Sequence, residues 1–263
     1  MAQRVARDWR VHGSRAGTVA LNDAILLKSA AHCLLAEFFR GRRCYEAVTH
    51  LLVDAAENIN IGKQLELSTA GRGGQVVSRL FTRQHYDMYS LGKAGYGYFY
   101  VPFMAALHMA GITDPVVLEA VKVILIKLGM LQQLQNDFQD CFREPAQSDG
   151  DDRCDIAEGK CTWLAVSALE RADDNQRSLF ESCYGHKDTD KVLEVKKIYE
   201  DLELPSLFRK VNAAMEDSIH GHVWSVSHAV PAHAFRLVWS SPIADGSNGT
   251  TRQDGHRECV QNS

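Results

Sequence analysis

The first proline stands at position 102, and up to it apolar side chains return every three or four residues, the spacing that gathers side chains on one face of a helix. Ile25, Leu26, Ala30, Leu34 and Phe38 mark a first helix over 22–41. Leu51, Leu52, Ala55, Ile59, Leu65 and Leu67 mark a second from Tyr45, which Gly71, Gly73 and Gly74 end. A third is expected over 82–110. A fourth runs over 114–142, opened by Asp114 as N-cap and Pro115 in the first turn. After a polar loop over 143–159, shorter helices are expected over 161–172, 175–184, 188–202 and 205–230. No segment alternates with the period of two that marks strands. The expected fold is therefore all-α: one helical bundle over 1–241, with a polar, disordered tail over 242–263.

A chain of 263 residues with 45% apolar content can bury one substantial core. Its net charge of -4 comes with no basic stripe, which argues against nucleic acid as a partner. No run reaches the roughly 18 uninterrupted apolar residues of a membrane helix, and the charged N-terminus does not read as a secretory leader. The expected location is the cytoplasm. Cys33, Cys44, Cys141, Cys154, Cys161, Cys183 and Cys259 form no CxxC pair and are read as reduced thiols. His220 and His222 sit one residue apart, a spacing that points two rings away from each other on a helix, so they are not read as a metal site.

The fourth helix ends in Gln132-Gln133-Leu134-Gln135-Asn136-Asp137-Phe138-Gln139-Asp140. Gln133, Asn136, Asp137 and Asp140 are three and four residues apart and share one helical face. Oxygen donors gathered this way suit Mg²⁺, which takes one or two carboxylates from a protein and the rest of its shell from water and phosphate oxygens. A solvated helix end with two aspartates is the other reading of the same residues.

Several segments in order resemble the farnesyl diphosphate synthase family. The acidic helix end is similar to that family's second aspartate-rich motif, and Asn22-Asp23-Ala24-Ile25-Leu26-Leu27 to one of its helix starts. Asn60 to Leu67 resembles its Gly-Gln-x-x-Asp-Leu segment, and Lys93 to Pro102 its Lys-Thr-x-x-Tyr-x-x-Tyr-x-Pro stretch. Arg153-Cys154-Asp155-Ile156 and Lys160-Cys161-Thr162-Trp163 resemble its Gly-Thr-Asp-Ile and Lys-x-Ser-Trp segments. The resemblance implies an isoprenoid synthase-type bundle whose central cavity holds an allylic diphosphate under Mg²⁺. It implies Asp137 and Asp140 as metal ligands, Asn136 as a weaker one, Asp155 as a partner through water, and Glu66 on the same set. Lys93 and Lys160 would hold diphosphate oxygens, with Gln133 lining the pocket. Tyr96 and Phe99 would face the substrate, where π faces stabilise a cation, although packing remains the leading role for Phe99 and Phe138. A homodimer is also implied, for which Ala31, Leu34 and Leu35 offer a face.

The chain departs from the family pattern at places that bear on the reaction. The family's first Asp-Asp-x-x-Asp motif precedes an Arg-Arg and a Trp. Here Gln3-Arg4 and Trp9 stand in those places soon after Met1, so that motif and its helices are expected to be missing. Asn136 replaces an Asp, Ala94 a Thr and Asp151 a phosphate-binding Lys, while polar residues after Ser240 replace a basic tail. These changes remove positive charge where a second diphosphate would sit. The expected function is thus a terpene synthase, a lyase ionising farnesyl diphosphate. The alternative is a farnesyl diphosphate synthase, a prenyltransferase condensing isopentenyl diphosphate with dimethylallyl or geranyl diphosphate. A non-catalytic partner subunit is the second alternative.

Overall fold

The computed structural model describes residues 14–69, 78–142 and 154–239. Every regular element among them is helical, as the periodicity requires. In chain order they are α1 (Ser14–Phe39), α2 (Tyr45–Thr69), a 3-10 turn (Ser78–Leu80), α3 (Arg83–Ser90), a π-helical segment (Leu91–Tyr100) and α4 (Val101–Met109). There follow α5 (Pro115–Phe142), α6 (Asp155–Glu158), α7 (Trp163–Arg171), α8 (Asp174–Cys183), α9 (Thr189–Asp201), α10 (Leu204–Val226) and α11 (Ala232–Arg236). The expectations for Gln3, Arg4, Trp9, Asp151 and the tail lie outside the described residues.

The expected third helix is a continuous rod made of α3, the π segment and α4. Thr82 opens it, its Oγ1 accepting from His85 N–H at 3.1 Å, and Gly111 ends it at φ 81, in the left-handed region where a glycine costs least. Pro102 withdraws one N–H from the rod, and the wider π winding lies immediately upstream of it.

The π segment is clamped from both sides by contact between backbones. A Cβ on Gly62 of α2 would overlap the main chain of Gly92 and Lys93, and one on Gly92 would come within 2.7 Å of the Asn58 carbonyl oxygen. Across the rod, a Cβ on Gly129 of α5 would overlap Ala94 and Gly95. α5 is the spine of the core, with Val121, Ile124 and Leu125 fully buried and Leu128 and Leu131 nearly so. Each such side chain contributes roughly 1.5–3 kcal/mol by leaving water. α10 packs against the other flank of α5, where Phe138 stacks on Phe208 with ring centroids 3.9 Å apart and planes at 6°.

The apolar stripe of α1 is not packed inward: Ile25, Leu26, Leu34 and Phe38 are 59–68% exposed among the described residues. The helix over Val19–Phe39, with mean hydropathy 1.4, is also long and apolar enough to cross a membrane by length and composition. Asp23, Lys28 and Glu37 interrupt its apolar residues, so no unbroken apolar run marks it in the sequence.

Gly62→Ala is expected to lower unfolding free energy by roughly 1–3 kcal/mol, because the new methyl meets backbone that cannot yield. Gly97→Ala, facing open space in the same rod, should leave stability unchanged or raise it by up to about 1 kcal/mol. Urea denaturation of both variants compares them directly. Equal effects would mean that the close approach does not set the helix spacing.

Candidate functional site

Asp137 points into the protein. It is 2% exposed, and both carboxylate oxygens already accept: Oδ1 from Gln133 Nε2 at 2.6 Å, Oδ2 from Trp163 N–H at 2.9 Å. The second bond caps the start of α7, where unpaired N–H groups and the helix dipole favour a negative charge. Thr162 Oγ1 adds the neighbouring cap by accepting from Ala165 N–H at 3.1 Å. Burial pushes the Asp137 carboxyl up to about 7, against the two bonds that favour its charged form, and the nearby Asp155 charge adds to the rise. The Tyr86 hydroxyl is buried beside it without a hydrogen-bond partner of its own, and Gln133 Oε1 is likewise unpartnered.

One turn on, Asp140 takes part in a different arrangement. Its Oδ2 accepts from Asp155 N–H at 2.8 Å, which brings the start of α6 against the end of α5. Asp155 Oδ1 pairs with Lys160 Nζ at 2.5 Å, and Glu158 pairs with the same amine at 2.8 Å. Loss of water contact and then the Asp155 charge raise the Asp140 carboxyl above its ordinary value. The side chain still reaches solvent, which moderates the first of these. Burial alone would lower the Lys160 amine, but Asp155 and then Glu158 outweigh it and hold it above its usual range. Gly159, at φ 65, lets the chain turn from α6 into Lys160. Tyr184 and Tyr89 then fix the turn by donating to the Lys160 and Cys161 carbonyls, each at 2.7 Å.

Lys93 sits on the π segment and pairs with Glu66 Oε1 of α2 at 2.5 Å, while Lys63 holds Oε2 at 3.1 Å. Burial would raise Glu66, but Lys93 and then Lys63 overcome it, so the carboxyl titrates below its ordinary value. The Lys93 amine also lies 6.0 Å from the centre of the Tyr89 ring. Asn136 accepts from Gln132 at 3.1 Å and donates to the Tyr98 hydroxyl at 3.3 Å. Tyr96 packs edge-on against Tyr100, and Phe99 lines a cavity of about 170 Å³ with Leu128, Leu131, Gln132 and Trp239. A larger cavity of about 290 Å³, among Arg83, Met130, Trp163 and Val211, is lined by none of the expected site residues.

The structure therefore divides the expected ligand set. Asn136, Asp137, Asp140, Asp155 and Glu66 do not converge, and among the described residues no three His, Cys, Asp or Glu side chains meet as a metal-holding group. Glu66 is neutralised by two lysines and Asp137 is turned inward. Asp140 and Asp155 remain as hard oxygen donors held together by the bond from Asp155 N–H to Asp140 Oδ2, and Asn136 lies one turn earlier on α5, engaged with Gln132 and Tyr98. Their mutual repulsion is what a divalent cation would relieve, so the donor set fits Mg²⁺ with phosphate and water completing its shell. Tyr86, Tyr98, Glu158 and the Trp163 N–H were not anticipated as partners. Only the last left a signal, since Thr162 before an apolar run reads as an N-cap.

A family model described as polyprenyl synthetase matches residues 7–202. Farnesyl pyrophosphate synthase of Bos taurus is 32% identical over 219 residues, covering 83% of this chain and 62% of that protein. The Rattus norvegicus enzyme is 34% identical over the same coverage, and that of Saccharomyces cerevisiae 32% over 213 residues, covering 81% and 60%. The chain thus spans 60–62% of the length of these relatives. Among solved structures, T. brucei farnesyl pyrophosphate synthase superposes with a TM-score of 0.76 at 24% identity, over 90% of this chain and 72% of that one. These likenesses overturn the terpene synthase expectation, and with it the lyase class. The relatives are synthases of farnesyl pyrophosphate, and the match extends over most of the chain. The departures that favoured a lyase rest on a few positions, of which Asp151 and the N-terminal ones lie outside the described residues.

A pH test separates the inward carboxylate from the rim. Because the folded Asp137 pKa lies above its ordinary value of 3.8, the folded chain binds that proton more tightly than the unfolded one. Its contribution to stability falls as pH rises from about 4 to about 7, and the cost is complete above that. Asp137→Asn keeps the Trp163 bond and lets Gln133 turn its amide so that Oε1 gains a donor. In EDTA, thermal unfolding should therefore favour the variant over wild type increasingly as pH rises through this window, by roughly 1–4 kcal/mol at its end. A pH-independent difference would show that Asp137 is not a buried, proton-binding group.

Proposed function

This chain belongs to the polyprenyl synthetase family, and on that premise we propose that it serves prenyl transfer, joining isopentenyl diphosphate to an allylic diphosphate. The observation that carries this reading is the rim formed by Asp140, Asp155 and Lys160, where two carboxylates and a charged amine are held together. Such a rim suits a diphosphate and a hard cation at once. In this reading Asp140 and Asp155 would hold Mg²⁺, with the Asn136 amide as a neutral donor, and the chemistry such an ion would supply there is neutralisation of diphosphate charge. Asp137 serves the rim from behind by fixing α7 and Gln133.

The chemistry asks three things of the chain. As the allylic C–O bond lengthens, negative charge collects on the departing diphosphate. Lys160 meets it with a positive charge that Asp155 and Glu158 preserve, and Lys93, aligned by Glu66, supplies a second. The electron-poor allylic carbon then gains its new bond from the isopentenyl double bond, and the isopentenyl carbon beside the resulting cationic centre loses a proton to the departed diphosphate. Tyr96 and Phe99 offer ring faces that favour a cation over water. Gln133 orients from the side of Asp137.

A homodimer in the cytoplasm belongs to the same reading. The stripe of Leu27, Leu34 and Phe38 on α1 is 59–68% exposed, and a second α1 presents the same apolar chemistry in a self-complementary, two-fold arrangement.

Purified protein supplied with Mg²⁺, labelled isopentenyl diphosphate and geranyl diphosphate should place the label in a longer allylic diphosphate, and EDTA should abolish this. Asp140→Asn and Lys160→Ala should each lower kcat by roughly 10²–10³-fold while melting as wild type does. Label that stays in isopentenyl diphosphate under every condition would sink the prenyl-transfer reading. Light scattering is expected to give two chains per particle, and one for Leu27→Asp with Leu34→Asp; an unchanged mass in the double variant would remove α1 from the interface.

A further inference from the structure

The cavity of about 290 Å³ among α3, α5, α7 and α10 takes no part in the proposed prenyl transfer. Its lining grades from buried to exposed. Ser90 and Leu134 belong to the buried end, together with Tyr86 and Trp163. Met130, Val211 and Met215 are half-buried along the sides, while Asp87 and Arg171 reach solvent at the mouth. The Arg83 guanidinium lies 5.7 Å from the centre of the Trp163 ring and 6.0 Å from that of Tyr86, and it donates to Ser167 and Glu170. Trp163 serves twice, since it lines the cavity while its N–H holds Asp137.

Apolar walls are ordinary in a core, but Ser90 is 0% exposed and its Oγ has no hydrogen-bond partner among the described residues. A hydroxyl shut away in that state is costly, and an acceptor placed in the cavity would relieve it. The mouth is balanced in charge: Arg83 and Arg171 stand against Glu170, which pairs with both, and Asp87. We propose that the cavity binds one compact, uncharged apolar molecule that carries a single acceptor oxygen, such as a cyclic ketone. Apolar cavities of about 150 Å³ take up benzene, so this one has room for roughly two fused rings. The Ser90 hydroxyl meets the ligand oxygen by a turn about χ1 and donates to it. A carboxylate in place of that oxygen would lose its hydration at the buried end, and at the mouth it would have to displace Glu170 from two guanidiniums. The occupant packs against the start of α7, which Asp137 caps, but its binding does not depend on the reaction proposed above.

Equilibrium dialysis of the full chain tests this with three matched probes: α-tetralone, a two-ring ketone; tetralin, which lacks the oxygen; and the α-carboxylate of tetralin. The expected result is one α-tetralone per chain, bound about 5-fold or more tightly than either comparator. Ser90→Ala should remove the advantage over tetralin, leaving the two affinities within about 2-fold of each other. Val211→Trp fills the cavity and should weaken α-tetralone at least about 10-fold, with circular dichroism to show that the variant is folded. Met215→Phe is the milder filling variant and takes its place if Val211→Trp unfolds. No saturable binding of α-tetralone, equal binding of tetralin by the wild-type chain, an advantage that survives Ser90→Ala, or undiminished binding by the folded filling variant would each overturn the proposal. Tighter binding of the carboxylate than of the ketone would overturn it too, because the ligand would then be an anion.

Discussion

The site depends on backbones that touch. Gly62 against Gly92 and Lys93, and Gly129 against Ala94 and Gly95, let α2, the π segment and α5 approach more closely than any side chain would allow. Lys93 can reach Glu66 only because its own main chain lies against α2, and Tyr98 reaches Asn136 because the same rod lies against α5. The π winding adds to this by changing how side chains are distributed around the rod just where they must face two neighbours. A polar site built at such contacts is rigid without being apolar, since the clamp is made of main chain.

Within that frame the acidic residues divide their labour according to direction. Asp137, desolvated, is expensive in its charged form, and Trp163 N–H and Gln133 only partly offset this. What it contributes is order: a carboxylate at the start of α7 fixes that helix, and with it the turn that carries Lys160. Asp140 reaches solvent while Asp155 is half-buried against Lys160; their charges repel each other, and the bond from Asp155 N–H to Asp140 Oδ2 does not cancel that repulsion. Lys160 balances part of this charge. The remaining imbalance is the property that a cation-diphosphate pair would use.

Much of the fold could be read from the chain because its punctuation is local. Thr82, Asp114 with Pro115, and Gly111 mark helix ends through caps and turns that need no tertiary partner. The fate of α1 was not legible in this way, because an apolar stripe states that something should cover it and not what does. Spacing placed Asn136, Asp137 and Asp140 on one face. Adjacent residues on a helix are nonetheless about 100° apart, which is enough to send Asn136 to Tyr98 and Asp137 to Trp163. Pairings such as Lys93 with Glu66 join residues distant in sequence and left no sign that periodicity could detect. The reaction class was not legible for a related reason: a few positions that lack positive charge say less about it than likeness along most of the chain.

The central claim is that the end of α5 binds through Asp140 and Asp155 and is built by Asp137. The most direct measurement is a crystal structure with Mn²⁺ and an unreactive allylic diphosphate analogue, locating the metal by its anomalous scattering. The account requires metal bound to a carboxylate oxygen of Asp140 or Asp155, bridging to the diphosphate near Lys160, with Asp137 still accepting from Trp163 N–H. Metal coordinated by Asp137, or a diphosphate bound away from this rim, would contradict it.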